Sequence, residues 1–388
     1  MRALLLLLAL ASAPAWAQPL ILGAVLPQSG QLADLAADMQ RALVMWQESI
    51  NAAGGLLGRR VELKLLDDRS EASASTRLYE QLIDVERAEL LIGPFGSAAS
   101  SSAAGVAERR RRVLVNATGV TRGVQRAGTR YVFQVPAPLA AYGEGALEIV
   151  RAMGYRRLHV VARKDPGSRE AAAQLVERAA AAGLEPGPVE SVATGASDYA
   201  AQIAKARARD AQAWIAFGQP EDAADMVKSF KRIGYAPWLF LAQGSAEPRF
   251  LKLVGRDAEY VLGISPYELG FRTRGNREFV EDWRKRWSAD PGTIAATAYA
   301  AVLILEQAVR KAGTVEAERL RAALAGLDTE TPIGRYRVDA GGVQAAARPA
   351  VVQILGGRRE IVWPEALATA KWRLPYPRWD ERQARAAQ

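Results

Sequence analysis

Strands and helices alternate regularly along most of this chain, and that alternation limits the folds open to it. Short apolar runs predict buried strands, and longer segments with a helical period separate them: strands at 20–26, 60–66, 89–92 and 113–115, helices at 33–53, 73–85 and 98–110. A second series has strands at 158–162, 189–193, 214–217 and 239–242 and helices at 140–153, 169–182, 199–207 and 222–233. This pattern is typical of a doubly wound α/β sheet, and it occurs twice.

The remainder of the chain adds no third series of this kind. It predicts a strand at 260–264, helices at 276–287, 293–311 and 315–325, and a hairpin at 350–355 and 359–363 around Gly356-Gly357. Because 388 residues exceed what one hydrophobic core usually serves, we expect two domains. Helices and a hairpin that follow both series indicate a chain that crosses between two lobes more than once. A ligand would then lie in the cleft, at the C-terminal ends of the parallel strands.

The first seventeen residues have the pattern of a signal peptide. Arg2 supplies a positive n-region, residues 4–11 an apolar core, and Ala15-Trp16-Ala17 a small-x-small cleavage site. This core is shorter than the roughly 20 residues of a membrane-spanning helix. Residue 18 is Gln rather than the Cys of a lipoprotein signal. We expect a soluble periplasmic protein that begins near Gln18, with an uncleaved N-terminal anchor as the alternative.

Composition excludes several classes of site and partner. The chain has no cysteine, which excludes disulfides, thiolate metal sites and cysteine nucleophiles. The net charge of +9 is scattered, and its one dense run, 109–112, lies where a helix is predicted to end, so no nucleic-acid partner is expected. The single histidine, His159, falls within a predicted strand and is expected in the core.

No enzyme class finds support in the motifs. The sequence contains no G-x-S-x-G, G-K-[ST] or G-x-G-x-x-G, so we predict no catalytic residues, no cofactor and no metal. Asp67-Asp68 could form a paired-carboxylate site, although the pair also suits the end of a strand and the start of a loop.

Several short motifs, taken in order, resemble those of a known family. They are GAVLPQSG at 23–30, INAAGG at 50–55, LGRRVEL at 57–63, DD at 67–68, GP at 93–94, YVF at 131–133, SDY at 197–199, GY at 234–235 and VWP at 362–364. Their order and spacing resemble the periplasmic leucine/isoleucine/valine-binding proteins of ABC transporters over nearly the whole chain after residue 17.

The resemblance implies the fold of a type I periplasmic binding protein. Two doubly wound, Rossmann-like α/β lobes are joined by three hinge crossings and close over a small ligand. The crossings are expected near 135–138, 264–267 and 336–339. The expected division is a signal peptide at 1–17, one lobe from 18–136 with 266–337, the other from 137–265 with 338–376, and a C-terminal tail at 377–388.

The resemblance also implies where a ligand carboxylate is held. Residues 93–98 follow a predicted strand and open a helix, so their backbone N–H groups and the hydroxyl of Ser97 suit an anion. The implied carboxylate site joins Ser97 and Ala98 to a second loop with Ala117, Thr118 and Gly119. Ser97 could instead be a plain helix cap, and Thr118 a loop hydroxyl bonded to its own backbone.

Other positions depart from the amino-acid binders of the family. Leu35 stands where they have an aromatic residue, residues 164–168 replace a Tyr-Gly pair, and Gln243 stands where an acidic residue pairs with the ligand's ammonium. Since an amide cannot neutralise a buried ammonium, we expect an uncharged or anionic ligand with an apolar body. Gln219 is a further candidate in the cleft. Displaced loops could still supply a negative charge, from Asp165, Glu221 or Asp222.

These expectations combine into one predicted function. The protein would be the solute-binding subunit of an ABC importer, which binds a small carboxylate, amide or amino-acid-like ligand and delivers it to a permease in the inner membrane. It would act as a monomer. A periplasmic sensor that presents its closed form to a membrane regulator is the alternative, and an exported hydrolase or lyase is disfavoured by the missing motifs.

Overall fold

The computed structural model describes residues 18–125 and 128–386, so the predicted signal peptide at 1–17 lies outside the described residues. Within the described residues, the strands form a five-stranded sheet, a seven-stranded sheet and a two-stranded hairpin. Helices pack on both large sheets, and each sheet with its helices is called a lobe below. The predicted α/β class with two doubly wound lobes is confirmed.

The sheet of the first lobe is entirely parallel. Its strands are β1 (Leu20–Leu26), β2 (Val61–Asp67), β3 (Leu90–Ile92), β4 (Leu114–Asn116) and β5 (Val132–Gln134). The connecting helices are α1 (Ala33–Ala52), α2 (Ser75–Asp84) and α3 (Ser97–Arg110). In the order β2-β1-β3-β4-β5, β1 lies between two partners and is covered on both faces, which explains why its sequence is a continuous apolar run.

The chain then passes into the second lobe. Its sheet has seven strands, with the order β14-β13-β10-β9-β8-β6-β7. They are β6 (Arg157–Arg163), β7 (Glu185–Val192), β8 (Ala213–Phe217), β9 (Leu239–Ala242), β10 (Leu262–Ser265), β13 (Ala350–Leu355) and β14 (Arg358–Trp363). Its helices are α4 (Glu144–Ala152), α5 (Pro166–Ala181), α6 (Ala200–Ala208), α7 (Pro220–Ile233) and α8 (Pro248–Val254).

After β10 the chain returns to the first lobe and later leaves it again. The returning elements are α9 (Asn276–Trp287), α10 (Thr293–Ala312), α11 (Ala317–Ala325), β11 (Thr329–Thr331) and β12 (Gly334–Tyr336). Strands β13 and β14 then complete the second sheet as an antiparallel hairpin beside β10. The chain therefore passes between the lobes three times, after β5, β10 and β12. The residue limits expected for each lobe stay predictions.

Helix α10 is long and apolar enough to cross a membrane by length and composition. It lies instead in the core of the first lobe, where it packs along α1. Trp46 of α1 donates its indole N–H to a carboxylate oxygen of Glu306 in α10 at 2.9 Å. The apolar surface of α10 therefore packs against the N-terminal part of the first lobe rather than against lipid.

The structure differs from the sequence expectations in several short elements and at the start of β7, which begins at Glu185 rather than at residue 189. Strands β5, β11 and β12 have three residues each, and the sequence did not predict them, although the equally short β3 and β4 were predicted. Helix α4 begins at Glu144 rather than at residue 140, because residues 139–141 form a separate 3₁₀ turn after Pro138. The expected tail contains α12 (Trp379–Ala386), and the indole of Trp379 donates to the carbonyl of Tyr235 in the second lobe at 2.8 Å.

Candidate functional site

A cavity of about 640 Å³ lies between the two lobes. The first lobe contributes the opening turn of α1 and the start of α10, and the second contributes the loops that follow β8 and β9. These loops lie at the C-terminal ends of parallel strands, where α/β folds place their ligands. Three of the predicted site residues line this cavity: Leu35, Gln219 and Gln243.

The two glutamines are brought together by contact between their loops. Gln219 is the N-cap of α7, and its side chain accepts a hydrogen bond from the third residue of the helix in a capping box. Gln243 begins the turn after β9 and is half-buried. Gly244 lies so close to Gln219 that an added Cβ would be 2.3 Å from its carbonyl carbon. Only glycine permits this approach of the two loops.

The wall opposite these amides is partly apolar. Leu35 lies in the first turn of α1, where 60% of its surface is exposed. A leucine that is this exposed at the mouth of a cavity offers apolar surface to an occupant.

The other five predicted residues surround the start of α3 and are not among the described residues that line this cavity. Ser97 is the first helical residue, so the N-cap is Gly96, in a positive-φ conformation. The Ser97 hydroxyl oxygen accepts a hydrogen bond from the backbone N–H of Val120 at 3.1 Å. Ala98 is exposed on the helix, whereas Ala117 is fully buried.

Thr118 fastens the two loops of this region to each other. Its hydroxyl accepts from the N–H of Gly96 at 2.9 Å and donates to the carbonyl of Pro94 at 2.8 Å. Gly119 is packed against Ser100, whose Oγ would lie 2.8 Å from an added Cβ. Thr118 thus bonds the neighbouring loop rather than its own, and its only hydroxyl proton is already used.

Negative charge lines the cavity, contrary to the expectation drawn from Gln243. The carboxylates are those of Asp34 and Asp38 on α1 and of Glu221 and Glu247 on the second lobe. Sequence reasoning missed three of them because it sought acidic residues only in the loops that follow the strands of the second lobe. Asp34 and Asp38 come from the opening of a helix, and Glu247 from the turn before α8.

The sequence offered three acidic residues that could supply a negative charge, and two of them make structural contacts outside the cavity. Asp165 is the N-cap of α5 and accepts from the N–H of Ser168 at 2.9 Å. Asp222 accepts from the N–H of Gln219 at 2.7 Å and lies 3.5 Å from the guanidinium of Arg163. Of the three, Glu221 alone lines the cavity, where it forms an ion pair with Arg249.

Tyr142 is a second residue that sequence reasoning missed. It follows the first crossing, packs in the core of the second lobe with 8% of its surface exposed, and lines the cavity. Burial raises the pKa of its hydroxyl, and the nearby carboxylate of Glu247 raises this pKa further. The group is therefore a neutral phenol at the pH of the cell exterior.

The remaining titratable candidates have structural roles. Asp67 accepts from the backbone N–H of Gln28 at 2.9 Å and from the hydroxyl of Ser29 at 2.7 Å. Desolvation raises the pKa of the Asp67 carboxyl. The hydrogen bonds from Gln28, Ser29 and the backbone N–H of Arg69 outweigh this effect, so the pKa of Asp67 is lowered overall. Burial raises the pKa of the adjacent Asp68. The pair therefore fixes the loop after β1, and no second function is needed to explain it.

His159 is a core residue, as expected. It is 2% exposed in the middle of β6, and its ring lies 4.5 Å from that of Trp214. Among the described residues, no group of three or more histidine, cysteine, aspartate or glutamate side chains is placed to hold a metal ion.

One known protein family matches this chain over most of its length. The family described as "Periplasmic binding protein" matches residues 19–358. The chain belongs to the periplasmic binding protein family. Its relatives and structural neighbours are solute-binding proteins rather than enzymes, which confirms both the predicted resemblance and the prediction of a non-enzyme.

Individual relatives of this periplasmic binding protein are distant but match along nearly their whole length. It is 22% identical over 321 residues to the leucine-, isoleucine-, valine-, threonine- and alanine-binding protein of Pseudomonas aeruginosa, covering 81% of this chain and 84% of the relative. A putative branched-chain amino acid ABC transporter structure from Silicibacter pomeroyi has a TM-score of 0.83 at 21% identity, with 92% of this chain and 99% of that chain covered. An R. palustris solute-binding protein in complex with benzoate has a TM-score of 0.71 at 19% identity, with 93% and 97% covered.

Proposed function

We propose that this protein is the solute-binding subunit of an ABC importer and that it binds a small carboxylate, amide or amino-acid-like solute between its lobes. The observation that carries the proposal is the cavity of about 640 Å³ with walls from both lobes. Its size is in the range of sites for small organic molecules. A solute held by both walls stabilises the arrangement in which they approach each other.

Closure of the lobes is the proposed binding mechanism. The three crossings are the segments at which the lobes can rotate, and the closed arrangement is favoured by the contacts that a ligand makes to both walls at once. Leu35 would contact the apolar part of the solute from the first lobe. Gln219 and Gln243 would bond its polar groups from the second.

Ser97 is the proposed anchor for a carboxylate. Its oxygen accepts from Val120, but its hydroxyl proton is still available to an anion, unlike the proton of Thr118. Ala98, Ala117 and Gly119 can contribute only backbone groups, and the N-terminal N–H groups of α3 favour a negative charge. In this proposal Thr118 shapes the subsite and does not donate to the ligand.

Location and partners follow from the same proposal. The signal at residues 1–17 would direct export and be removed, and the mature protein would act as a monomer in the periplasm. Its closed form would dock on an inner-membrane permease, which then receives the solute.

A solute panel tests the proposed function. Protein purified under denaturing conditions and refolded without ligand is melted with amino acids, aromatic and aliphatic acids, amides and amines. A ligand present at 100 times its dissociation constant should add about 2.7 kcal/mol of stability. Calorimetry then gives the affinity, and uptake of the labelled hit by cells should require the gene. Absence of any stabilising solute, or turnover of the hit, would contradict the proposal.

A further inference from the structure

A second and smaller cavity, of about 70 Å³, is bordered by the first and third crossings between the lobes and is called the hinge cavity below. The loop after β4 borders it from the first lobe, with Gln125. Helix α5 borders it from the second lobe, with Glu170 and Gln174. Residues 138–140 of the first crossing and Val343 of the third complete the wall. None of these residues lines the larger cavity between the lobes.

Two glutamines of the hinge cavity have their amide nitrogens held by the protein. The Nε2 of Gln125 donates to the carbonyl of Gly342 at 3.3 Å. The Nε2 of Gln174 donates to the carboxylate of Glu170 at 3.0 Å. Turning either amide over would set its oxygen against another oxygen acceptor, so these contacts decide which atom of each amide is the nitrogen. The amide oxygens are the atoms that still need a donor.

Both of these amide oxygens are buried without a partner. The Oε1 atoms of Gln125 and Gln174 have no hydrogen-bond partner among residues 18–125 and 128–386, and Gln174 is only 5% exposed. Buried polar atoms are normally paired, because an unpaired one forfeits its hydration without a replacement. Two unpaired acceptors beside one cavity indicate an occupant that offers hydrogen-bond donors or positive charge.

Glu170 brings a negative charge to the same cavity. Its Oε1 atom accepts from the backbone N–H of Arg122 at 2.9 Å as well as from Gln174. Within the described part of the chain, its carboxylate takes part in no ion pair. Arg122 also borders the cavity, but its guanidinium lies 3.9 Å from Glu177, farther along α5. The charge of Glu170 therefore has no described cationic side chain in direct contact.

Amide and carboxylate oxygens together are the ligands that hard metal cations prefer. Ca²⁺ takes such oxygens at flexible geometry and completes its shell with water, whereas Mg²⁺ demands a strict octahedron and gives up its own water reluctantly. A water molecule alone can donate to the two amide oxygens, but it leaves the charge of Glu170 without a counter-charge. A cation satisfies all three groups.

We infer that the hinge cavity binds a hard metal cation through the side-chain oxygens of Gln125, Glu170 and Gln174. The site goes beyond the proposed function and does not depend on which solute the larger cavity holds. The motifs of the sequence predicted no metal, since two of the three ligands are amides on a different element from their partner. Because Gln125 belongs to the first lobe and the other two to the second, the bound cation stabilises the relative orientation of the lobes at the crossings.

Melting of the full mature protein, stripped of metals with a chelator and dialysed, tests the inference. Ca²⁺ and Mg²⁺ are added at about 10 mM, above the dissociation constants of weak extracellular calcium sites. Na⁺ and K⁺ are added as further arms, and N-methyl-D-glucamine chloride at the same ionic strength is the reference for each. At least one of Ca²⁺, Na⁺ and K⁺ should raise the melting temperature by about 2 °C or more over its reference, and Mg²⁺ should raise it less. The arm with the largest shift identifies the cation. If no metal cation differs from its reference, the inference is wrong, while solute binding in the larger cavity is unaffected.

Variants then assign the cation to its ligands by calorimetry. Glu170→Gln keeps an oxygen for the Arg122 N–H but loses the charge, and should weaken binding of the best cation at least tenfold. The matched control is Glu177→Gln, which makes the same change on an exposed residue of α5 outside the cavity and should leave this affinity unchanged.

Gln174 gives two opposite changes at one position. Gln174→Leu removes an amide oxygen and should weaken cation binding at least threefold, whereas Gln174→Glu adds a second carboxylate and should strengthen binding of Ca²⁺ at least threefold. This pair decides the assignment even if Glu170→Gln does not fold, which melting of the cation-free variants reports. Folded Glu170→Gln protein with unaltered affinity for the cation, or equal affinities of the two Gln174 variants, would overturn the inference.

Discussion

Two hydroxyls that look equivalent in the sequence differ in what they can still do. The hydroxyl of Thr118 accepts a hydrogen bond from the N–H of Gly96 and donates one to the carbonyl of Pro94, so its proton is already used in a contact between the two loops. Ser97 only accepts, from Val120, and keeps its proton for another group. The difference arises from the backbone groups that approach each hydroxyl oxygen in the folded protein. The sequence around the two residues does not predict these contacts.

A pair of substitutions tests this difference. Ser97→Ala should weaken the carboxylate-bearing ligand by about 1–2 kcal/mol, the scale of one hydrogen bond to a charged group, with a smaller effect on melting of the empty protein. Thr118→Val should chiefly lower the melting temperature, because it leaves the Gly96 N–H and the Pro94 carbonyl unpaired. Calorimetry and thermal melting separate the two effects. If Ser97→Ala lowers the melting temperature and leaves affinity unchanged, Ser97 only holds the Val120 loop.

His159 gives stability a pH dependence that a single substitution can isolate. Burial lowers the pKa of this histidine from 6.5 to about 4 in the folded protein. The unfolded chain therefore binds the proton more tightly, and the histidine's contribution to stability, complete above pH 6.5, is lost as the pH falls toward 4. The difference corresponds to roughly 3 kcal/mol over that interval.

The measurement compares urea unfolding of the wild type and of His159→Phe from pH 7.5 to pH 4. A phenylalanine keeps the ring contact with Trp214 but cannot take up a proton, so the variant should lose less stability on acidification. Carboxylates titrate in both proteins and cancel in the difference. Parallel curves for the two proteins would show that His159 is not held neutral by burial.

At the scale of elements, length decided what the sequence could predict. Strand β1 and helix α9 have the predicted limits, since each has a strong periodic pattern and a clear end. The seven-residue α8 and the three-residue strands β5, β11 and β12 were not recognised, whereas the equally short β3 and β4 were, because each lies between two predicted helices. For the candidate site, the sequence pointed to Gln219 and Gln243 in the loops after two strands, and both line the cavity. It missed the acidic wall, because only the approach of the two lobes places α1 opposite the turn before α8.

The C-terminal helix α12 makes a testable contribution to the second lobe. The Arg382 guanidinium lies 4.0 Å from the ring centre of Tyr376 and 4.4 Å from that of Trp379. Trp379→Ala removes the contact of Arg382 with the indole and the hydrogen bond to Tyr235, and should cost about 2 kcal/mol of unfolding free energy, with ligand affinity unchanged. Arg378→Ala, which alters only an exposed pair with Asp380, should have little effect in the same denaturant titration. Equal stability of the two variants would mean that α12 does not stabilise the lobe.

At the scale of the whole molecule, the three crossings allow the lobes to move as two bodies around the ligand. The largest hydrophobic cluster lies mainly in the first lobe and reaches Ala246 and Ala350 of the second, which has two further clusters of its own. Residues of both lobes line the cavity between them. Ligand contacts to both walls favour the closed arrangement over the open one.

Spin labels can measure this closure directly. The chain has no cysteine, so Gln31→Cys beside α1 and Lys252→Cys on α8 give two exposed labels, one on each lobe, with no competing thiol. The distance between the labels should shorten when the ligand identified by calorimetry is added. Two labels within the second lobe, at Lys252→Cys and Arg378→Cys, should keep their distance. An inter-lobe distance that does not change at saturating ligand would contradict closure.

The interleaved chain path also governs when the protein can fold. The first lobe starts at β1 but is completed only by the returning elements α9 to β12, and the second sheet is completed only by β13 and β14, near the end of the chain. The main cluster of the first lobe and the sheet of the second therefore need segments from the C-terminal part of the chain, and contacts between such distant segments form slowly. We therefore expect the newly made polypeptide to stay only partly folded until its C-terminal segments are available. We expect this order of segments to suit export, because it leaves the main packing of both lobes incomplete until the last strands are available.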